Sequence, residues 1–447
     1  MNIDFLYDRF KKESDKIAII YNNKKYPYSW LIEKINECQN NFISLGLNNK
    51  VVSLIGDYDP YSIASFFALL EIDSIIVPFN KNIKKHNRLE YERIAEVEKA
   101  ITFDGTDIVV SSKDVKASHN LILQLKRERH PGLILFSSGS TGDSKAIVHD
   151  FDSLIKKFRH EKKPSKPIIP FLMFDHIGGI NTLFYTLSNT GCIVTIDNHS
   201  VEEICAAVEK YKVQILPVSP TFLNLLIISE AYKKFDLSSL EVISYGTEVM
   251  SESILKKIHN IFPDIKILQT YGLSETGILN SRSEANNSTW VKLGGENIEL
   301  RVKNNMLEIK TPSAMMGYIN ASSPFTEDGW IKTNDLVEQK GDYYRIIGRN
   351  SDIINVGGEK VYPSEVENIL LDMNNVEDVS IVGEKNIILG QIVKAKVKLK
   401  DNMSLRDFSI KMKIFCRDKL AGYKIPQKVE IIKDEELYSE RFKKKRM

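Results

Sequence analysis

The sequence predicts an α/β protein: a large N-terminal domain built on parallel sheets, followed by a small α+β domain. Three observations carry this. Apolar runs and amphipathic runs alternate along most of the 447 residues, a length with room for roughly three packed units. From Gly294 onward the pattern changes to short strands. A polar break, Gly348-Arg349-Asn350-Ser351-Asp352, then divides residues 1–349 from residues 350–447, where VSIVGE and QIVKAKVKLK read as strands among helices.

Taken in order, IAIIYNNKKYPYSW reads as two short strands around the polar turn Asn22-Asn23-Lys24-Lys25. Trp30 to Gly46 is amphipathic, with Leu31, Ile35, Phe42 and Leu45 as its apolar positions. KVVSLIGDY is an apolar strand ending in turn residues, SIASFFALLEI a helix and SIIVPF a strand. Lys81 to His130 is the most polar stretch, with weak periodicity, and reads as peripheral. The alternation then resumes. VEEICAAVEKY, TFLNLLIISEAYKK and ESILKKIHNIF read as helices, and VQILPVSP, LEVISYG and IKILQTYG as the strands between and after them. Strands alternating with helices call for parallel pairing through crossover connections, and ligands of such sheets gather beyond the carboxyl ends of the strands. SYGTEVM and TYGLSETG, each leaving a strand, are therefore the loops to inspect. The later strands are NIELRVK, MLEIKT and YYRIIG.

Composition excludes several classes. Lys+Arg 61 against Asp+Glu 59 leaves a formal charge of +2, which gives no whole-molecule attraction to nucleic acid or an anionic membrane. With 43% hydrophobic and 27% charged residues the chain is not a disordered one. Cys38, Cys192, Cys205 and Cys416 are scattered, without a CxxC pair or a histidine at ligand spacing. Neither a disulfide framework nor a zinc site is expected, and a reducing cytosol is. MNIDFLYDRFKKESDK lacks the apolar core of a secretory signal. Ser65 to Phe79, the most apolar stretch, is cut by Glu71 and Asp73 and is too short to cross a bilayer. A cytoplasmic protein with no transmembrane segment and no nucleic-acid partner is expected.

LILFSSGSTGDSKAIVHD, Leu133 to Asp150, is the strongest local signal. An apolar strand enters Ser137-Ser138-Gly139-Ser140-Thr141-Gly142-Asp143-Ser144-Lys145, and another apolar strand leaves it. Small residues let successive backbone N–H groups close on phosphate oxygens, hydroxyls add donors, and Lys145 offers a point charge. The spacing is not that of a Walker loop feeding a helix. A hairpin turn without a ligand is the alternative at this point.

SSGSTGDSK resembles the phosphate loop of the adenylate-forming superfamily, which includes acyl-CoA synthetases, peptide-synthetase adenylation domains and firefly luciferase. Further motifs follow in the family's order across essentially the whole chain: FDHIGGIN (Phe174 to Asn181), SYGTEVM (Ser244 to Met250), TYGLSETG (Thr270 to Gly277), DGWIKTND (Asp328 to Asp335) and GRNSDIINVGGEKVYPSEVE (Gly348 to Glu367). The resemblance implies that the N-terminal domain includes a distorted β-barrel subdomain. It also implies that the small C-terminal domain is mobile and carries the catalytic lysine.

The resemblance further implies ATP held by Ser137, Ser138, Gly139, Ser140, Thr141, Gly142 and Lys145. Gly246, Thr247 and Glu248 belong to the segment that contacts adenine, and Thr270, Tyr271, Gly272 and Ser274 to the signature, whose tyrosine lies against the base. Glu275 holds Mg²⁺ in this scheme, as suits a carboxylate beside a phosphate cradle. Asp335 takes both ribose hydroxyls with its two acceptor oxygens. Arg349 is the hinge arginine that contacts the nucleotide, and Ser351 falls on the pivot, where the family has Asp or Lys. SERFKKKRM stands where the family has Thr-x-Ser-Gly-Lys-x-x-Arg. Aligning Ser439 and Arg446 makes Lys443 the catalytic lysine; Phe442 then replaces glycine, and Lys444 and Lys445 are its rivals. Ser144 replaces the family's proline and Asn334 its glycine. The basic run Lys156 to Lys166 reads as a solvated face, or as a contact for a phosphopantetheine donor.

The implied reaction is ATP-dependent joining of a carboxylic acid to a thiol through an acyl-adenylate, with release of pyrophosphate. The acid site falls on Asp175, His176 and Gly178. In the acyl-CoA ligase register His176 lines a pocket for a fatty or aromatic acid; in the amino-acid register Asp175 pairs with an α-ammonium. Counting to the strand CIVTI favours His176. Coenzyme A is the expected acceptor, with a carrier-protein phosphopantetheine as the alternative. A non-catalytic nucleotide-binding protein of the same fold is the remaining reading.

Overall fold

The computed structural model describes residues 3–138, 144–160 and 163–432. The alternation does produce parallel sheets. One seven-stranded sheet runs Gly317–Tyr318, Ser144–Asp150, Gly132–Ser138, Ile75–Asn80, Val51–Gly56, Lys99–Asp104, Asp107–Ser112, parallel through its centre. The other runs Lys266–Gln269, Val242–Tyr245, Ile215–Val218, Pro167–Ile168, Cys192–Val194, Ile17–Tyr21, Lys24–Pro27, antiparallel only at the last pair. The turn between Ile17–Tyr21 and Lys24–Pro27 has Asn22 and Asn23 at φ 48° and 63°, which asparagine tolerates and which fits the polar turn read there.

Helices fill the space between these sheets. Pro60–Glu71 starts at Asp59, whose carboxylate accepts from the N–H groups of Tyr61 and Ser62, with proline in the first turn. Ile63 to Leu70 is buried all round, so SIASFFALLEI has no polar face to show. Through Phe66, Phe67 and Phe184 one apolar cluster joins Leu54, Ile76 and Leu133 of the first sheet to Ile19 and Ile193 of the second. Lys81 to His130 is part of this frame rather than an addition to it. Lys99–Asp104 pairs in parallel with Val51–Gly56, and Asp107–Ser112 forms the edge. Its polarity is partly interior: Glu98, 5% exposed, accepts from the Val51 N–H at 2.9 Å and from Lys126, and Glu92 accepts from Ser53 Oγ and Lys113. Paired carboxylates sit inside without an unpaired charge, and that erased the apolar period.

The strands from Asn280 onward form a six-stranded antiparallel sheet, ordered Asn280–Ser283, Val291–Gly294, Tyr343–Arg349, Ile331–Lys340, Met306–Lys310, Glu299–Lys303. It lies within residues 1–349, for which the resemblance implies a barrel subdomain. After Arg349 a short turn, Asn350–Asp352, leads to a five-stranded sheet with the helices Pro363–Leu370 and Leu405–Cys416. This unit rests on the preceding one: Ser364 Oγ donates to Ile347 O, and Asn224 Nδ2 reaches Glu377 O at 3.5 Å. The four cysteines are free. No helix among the described residues is long and apolar enough to cross a membrane.

Candidate active site

Strands Gly132–Ser138 and Ser144–Asp150 pair up to Ser138 and Ser144, so Ser137 and Lys145 face each other where the glycine-rich turn leaves the sheet. Gly139, Ser140, Thr141 and Gly142 lie outside the described residues, as does the Ser138 side chain. Lys145 Nζ stands 5.3 Å from the centre of the Tyr318 ring. Tyr318 belongs to a two-residue strand added to Ser144–Asp150, and its hydroxyl donates to Glu275 Oε1 at 2.7 Å. It thereby links the lysine of the turn to the carboxylate of the signature loop. Burial, and then the Glu275 charge, push its phenol pKa up, so it remains a donor.

The signature loop is held from behind. His149 is fully buried on Ser144–Asp150, and its Nε2 lies 2.6 Å from Ser274 O. A carbonyl only accepts, so the proton sits on Nε2. Nδ1 is buried without a hydrogen-bond partner among the described residues, and burial pulls the imidazole pKa from 6.5 down to about 4. The Met315 N–H donates to Glu275 O at 2.8 Å from the other side. Between pH 6.5 and 4 the unfolded chain therefore binds a proton that the folded one refuses, and stability falls as pH drops through this window. The loss attributable to His149 is about 3 kcal/mol by pH 4. Urea unfolding of wild type and His149→Gln at pH 7 and pH 4 measures it: wild type should lose about 3 kcal/mol more than the variant, and equal losses would show that the imidazole is not kept neutral.

Next to this group lies a second one. Asp335 Oδ2 accepts from Tyr271 Oη at 2.7 Å, and Arg349 Nε stands 3.3 Å from Oδ1. Asp335 and Arg349 are direct partners across Ile331–Lys340 and Tyr343–Arg349, so the sheet register itself creates the pair. Asp335 is 5% exposed and Tyr271 8%. Burial raises the Asp335 pKa, Arg349 and Tyr271 oppose the rise, and the Glu275 charge adds to it. Arg349 in turn is close enough to act on Tyr318. The two groups thus form one electrostatic cluster of Lys145, Tyr318, Glu275, Tyr271, Asp335 and Arg349. Asn334, just before the aspartate, has φ 61°, a left-handed position that asparagine can hold in glycine's stead.

The loop Ser244–Met250 abuts the signature. Tyr245 O accepts from both Thr270 N–H, at 2.7 Å, and Thr270 Oγ1, at 3.0 Å. A Cβ on Gly246 would come within 2.5 Å of Thr270 Oγ1, so only glycine permits this approach. Thr247 follows at φ 71°. The Glu248 carboxylate accepts from Thr221 N–H and Oγ1 at the start of Pro220–Ser229, beside an open pocket shared with Ser364 and Glu367. Gly272 is likewise confined, since a Cβ would meet Gly277 O at 2.4 Å.

His176 caps the helix Ile177–Ser188: its Nδ1 accepts from the Gly178 N–H at 3.1 Å, which places its proton on Nε2. Gly178 packs so tightly that a Cβ would lie 2.5 Å from Leu172 Cδ1. Asp175 precedes the cap and is half-buried. Lys443, Lys444, Lys445 and Phe442 lie outside the described residues. The sequence reading missed Tyr318 and His149. Tyr318 sits in a strand too short to show a period, and His149 was read only as part of an apolar strand.

The AMP-binding enzyme family profile matches residues 6–324, and that of the AMP-binding enzyme C-terminal domain matches residues 365–441. The chain is 29% identical over 310 residues to 4-coumarate–CoA ligase-like 9 of Arabidopsis thaliana, covering 63% of this chain and 55% of that protein, so it spans about half of that relative. It is 23% identical over 461 residues to 2-succinylbenzoate–CoA ligase of Listeria monocytogenes, covering 96% of this chain and 95% of that one. The crystal structure of the anthranilate CoA ligase AuaEII in complex with anthranoyl-AMP has the same fold, with a TM-score of 0.82 at 17% identity over 96% of this chain and 93% of that one. Since the first profile alone covers well over half of the sequence, the chain belongs to the AMP-binding enzyme family and is an adenylate-forming ligase of acyl-CoA synthetase type.

Proposed function

We propose that the protein activates a fatty or aromatic carboxylic acid with ATP and passes the acyl group to coenzyme A. The observation that carries this reading is the cluster in which Tyr318 joins Lys145 to Glu275 while Tyr271 and Arg349 hold Asp335. Asp335 would accept from the ribose hydroxyls, with the Tyr271 ring against adenine and Arg349 near the phosphates. Residues 137–142 would donate to the phosphate oxygens. A carboxylate oxygen of the acid attacks the α-phosphorus, the bond to the β-phosphate oxygen breaks, and pyrophosphate leaves. The protein must align these two oxygens and stabilise the charge that grows between them. Lys145, Lys443 and the backbone donors of the turn supply that stabilisation.

Glu275 fits magnesium. It is half-buried, with one oxygen taken by Tyr318 and no hydrogen bond to the other among the described residues; Mg²⁺ favours one or two carboxylates together with phosphate oxygens. When bound, the ion supplies positive charge to the triphosphate. In the second step the thiol sulfur attacks the acyl carbon, the C–O bond to AMP breaks, and the thiol proton passes to solvent. Movement of residues 350–447 between the steps would withdraw Lys443 and admit the thiol.

The relatives named as CoA ligases support coenzyme A as the acceptor. The test is acid-dependent pyrophosphate release from Mg-ATP over fatty, aromatic and amino acids, repeated with coenzyme A and with a phosphopantetheinyl carrier protein. Release with a fatty or aromatic acid and a thioester on coenzyme A are expected. ATP binding without release for any acid would overturn the reading.

A further inference from the structure

An open, largely apolar pocket lies between the helix that His176 caps and the strand that follows Glu275. Phe151, Leu154 and Ile155 line it on one side, and Ile177, Ile180 and Phe184 of the capped helix on another. Lys157, Asn181 and Ser313 are its polar lining residues. Ser313 Oγ is already committed, donating to Thr276 O at 2.8 Å.

Lys157 differs from a solvated lysine. The residue is exposed, yet its ammonium lines the pocket and donates to Asn181 Oδ1 and, at 2.8 Å, to Ile278 O. Both acceptors are neutral, and Lys157 makes no ion pair among the described residues. Loss of water around the ammonium pulls its pKa down to about 8. An ammonium with three donors and two neutral acceptors keeps one donor and its charge for an anion. An anionic oxygen entering this pocket would meet both.

The position suits the far end of a substrate. Asn181 lies five residues beyond His176, about 7.5 Å along the helix axis. An acid reacting at the His176 end would need at least about this length to bring a second group to Lys157, as a short dicarboxylate or a carboxyl-substituted benzoate has.

We propose that Lys157 and Asn181 form a recognition subsite, and that the acid activated by this enzyme carries a second carboxylate which Lys157 binds. The inference rests on the ligase reading above and names its substrate class. Matched pairs of acids test it, each pair a dicarboxylate and the analogue with methyl in place of the distal carboxylate, in pyrophosphate release by wild type, Lys157→Met and Lys157→Arg. Wild type should prefer the dicarboxylate. In Lys157→Met the KM for the dicarboxylate should rise about 10- to 100-fold, as for loss of one charged hydrogen bond, with kcat moving far less and the methyl-ended acid no worse. Lys157→Arg should keep the preference.

A wild type that prefers methyl-ended acids would overturn the proposal and leave the ligase reading intact. So would a Lys157→Met variant that loses kcat equally with both acids, since Lys157 would then only tie Ile278 to the helix. Release with no acid at all would overturn both.

Discussion

Replacing Asp335 with alanine is expected to raise the ATP concentration for half-maximal pyrophosphate release by about 10²–10⁴-fold. A hydrogen bond to a charged group contributes about 1.5–3 kcal/mol, and two ribose hydroxyls would donate to this carboxylate. The carboxylate is buried and aimed by Tyr271 and by its register partner Arg349, so nothing has to be ordered when the nucleotide arrives. The same experiment with 2′-deoxy-ATP isolates the contact: wild type should lose about 10- to 100-fold, and Asp335→Ala almost nothing further. A variant that discriminates between the two nucleotides as sharply as wild type would place the ribose elsewhere. Folding should suffer less than binding. Arg349 is 56% exposed at its side chain and stays solvated, whereas the Tyr271 hydroxyl loses a buried partner at about 1–3 kcal/mol.

Lys443→Ala is expected to slow acid-dependent pyrophosphate release by about 10²–10³-fold, the usual cost of removing one donor aimed at developing charge. Thioester formation from presynthesised acyl-adenylate and coenzyme A should change less than about threefold, because the lysine would be withdrawn in that step. Lys444→Ala and Lys445→Ala should leave both half-reactions near wild type. If one of them takes the loss instead, the alignment of SERFKKKRM shifts by a residue or two. Equal slowing of both half-reactions by Lys443→Ala would remove the lysine from the chemistry and make it structural.

Much of the molecule was written locally. The alternation of SIASFFALLEI with SIIVPF, and of ESILKKIHNIF with IKILQTYG, gave helices and parallel strands where it called for them. The apolar strands read on either side of SSGSTGDSK are present, and they pair antiparallel. These signals survive because apolar period and turn chemistry depend on residues a few positions apart. The fold, the order of the motifs and the presence of Lys145, Tyr271, Glu275, Asp335 and Arg349 in them belong to the sequence alone.

What brings those residues into one cluster is pairing over long separations. Tyr318 meets Glu275 from 43 positions away, and His149 meets Ser274 from 125. Ile331–Lys340, which carries Asp335, is not among the strands that the sequence predicts, and its register against Tyr343–Arg349 alone sets Arg349 opposite the aspartate. Lys81 to His130 joined a sheet because Glu92 and Glu98 found lysines to pair with. Lys157 looked like one charge in a basic run until the fold brought Asn181 Oδ1 and Ile278 O to its ammonium. In each case the deciding quantity is desolvation of a polar group against a partner distant in the chain, and local periodicity holds no record of that partner.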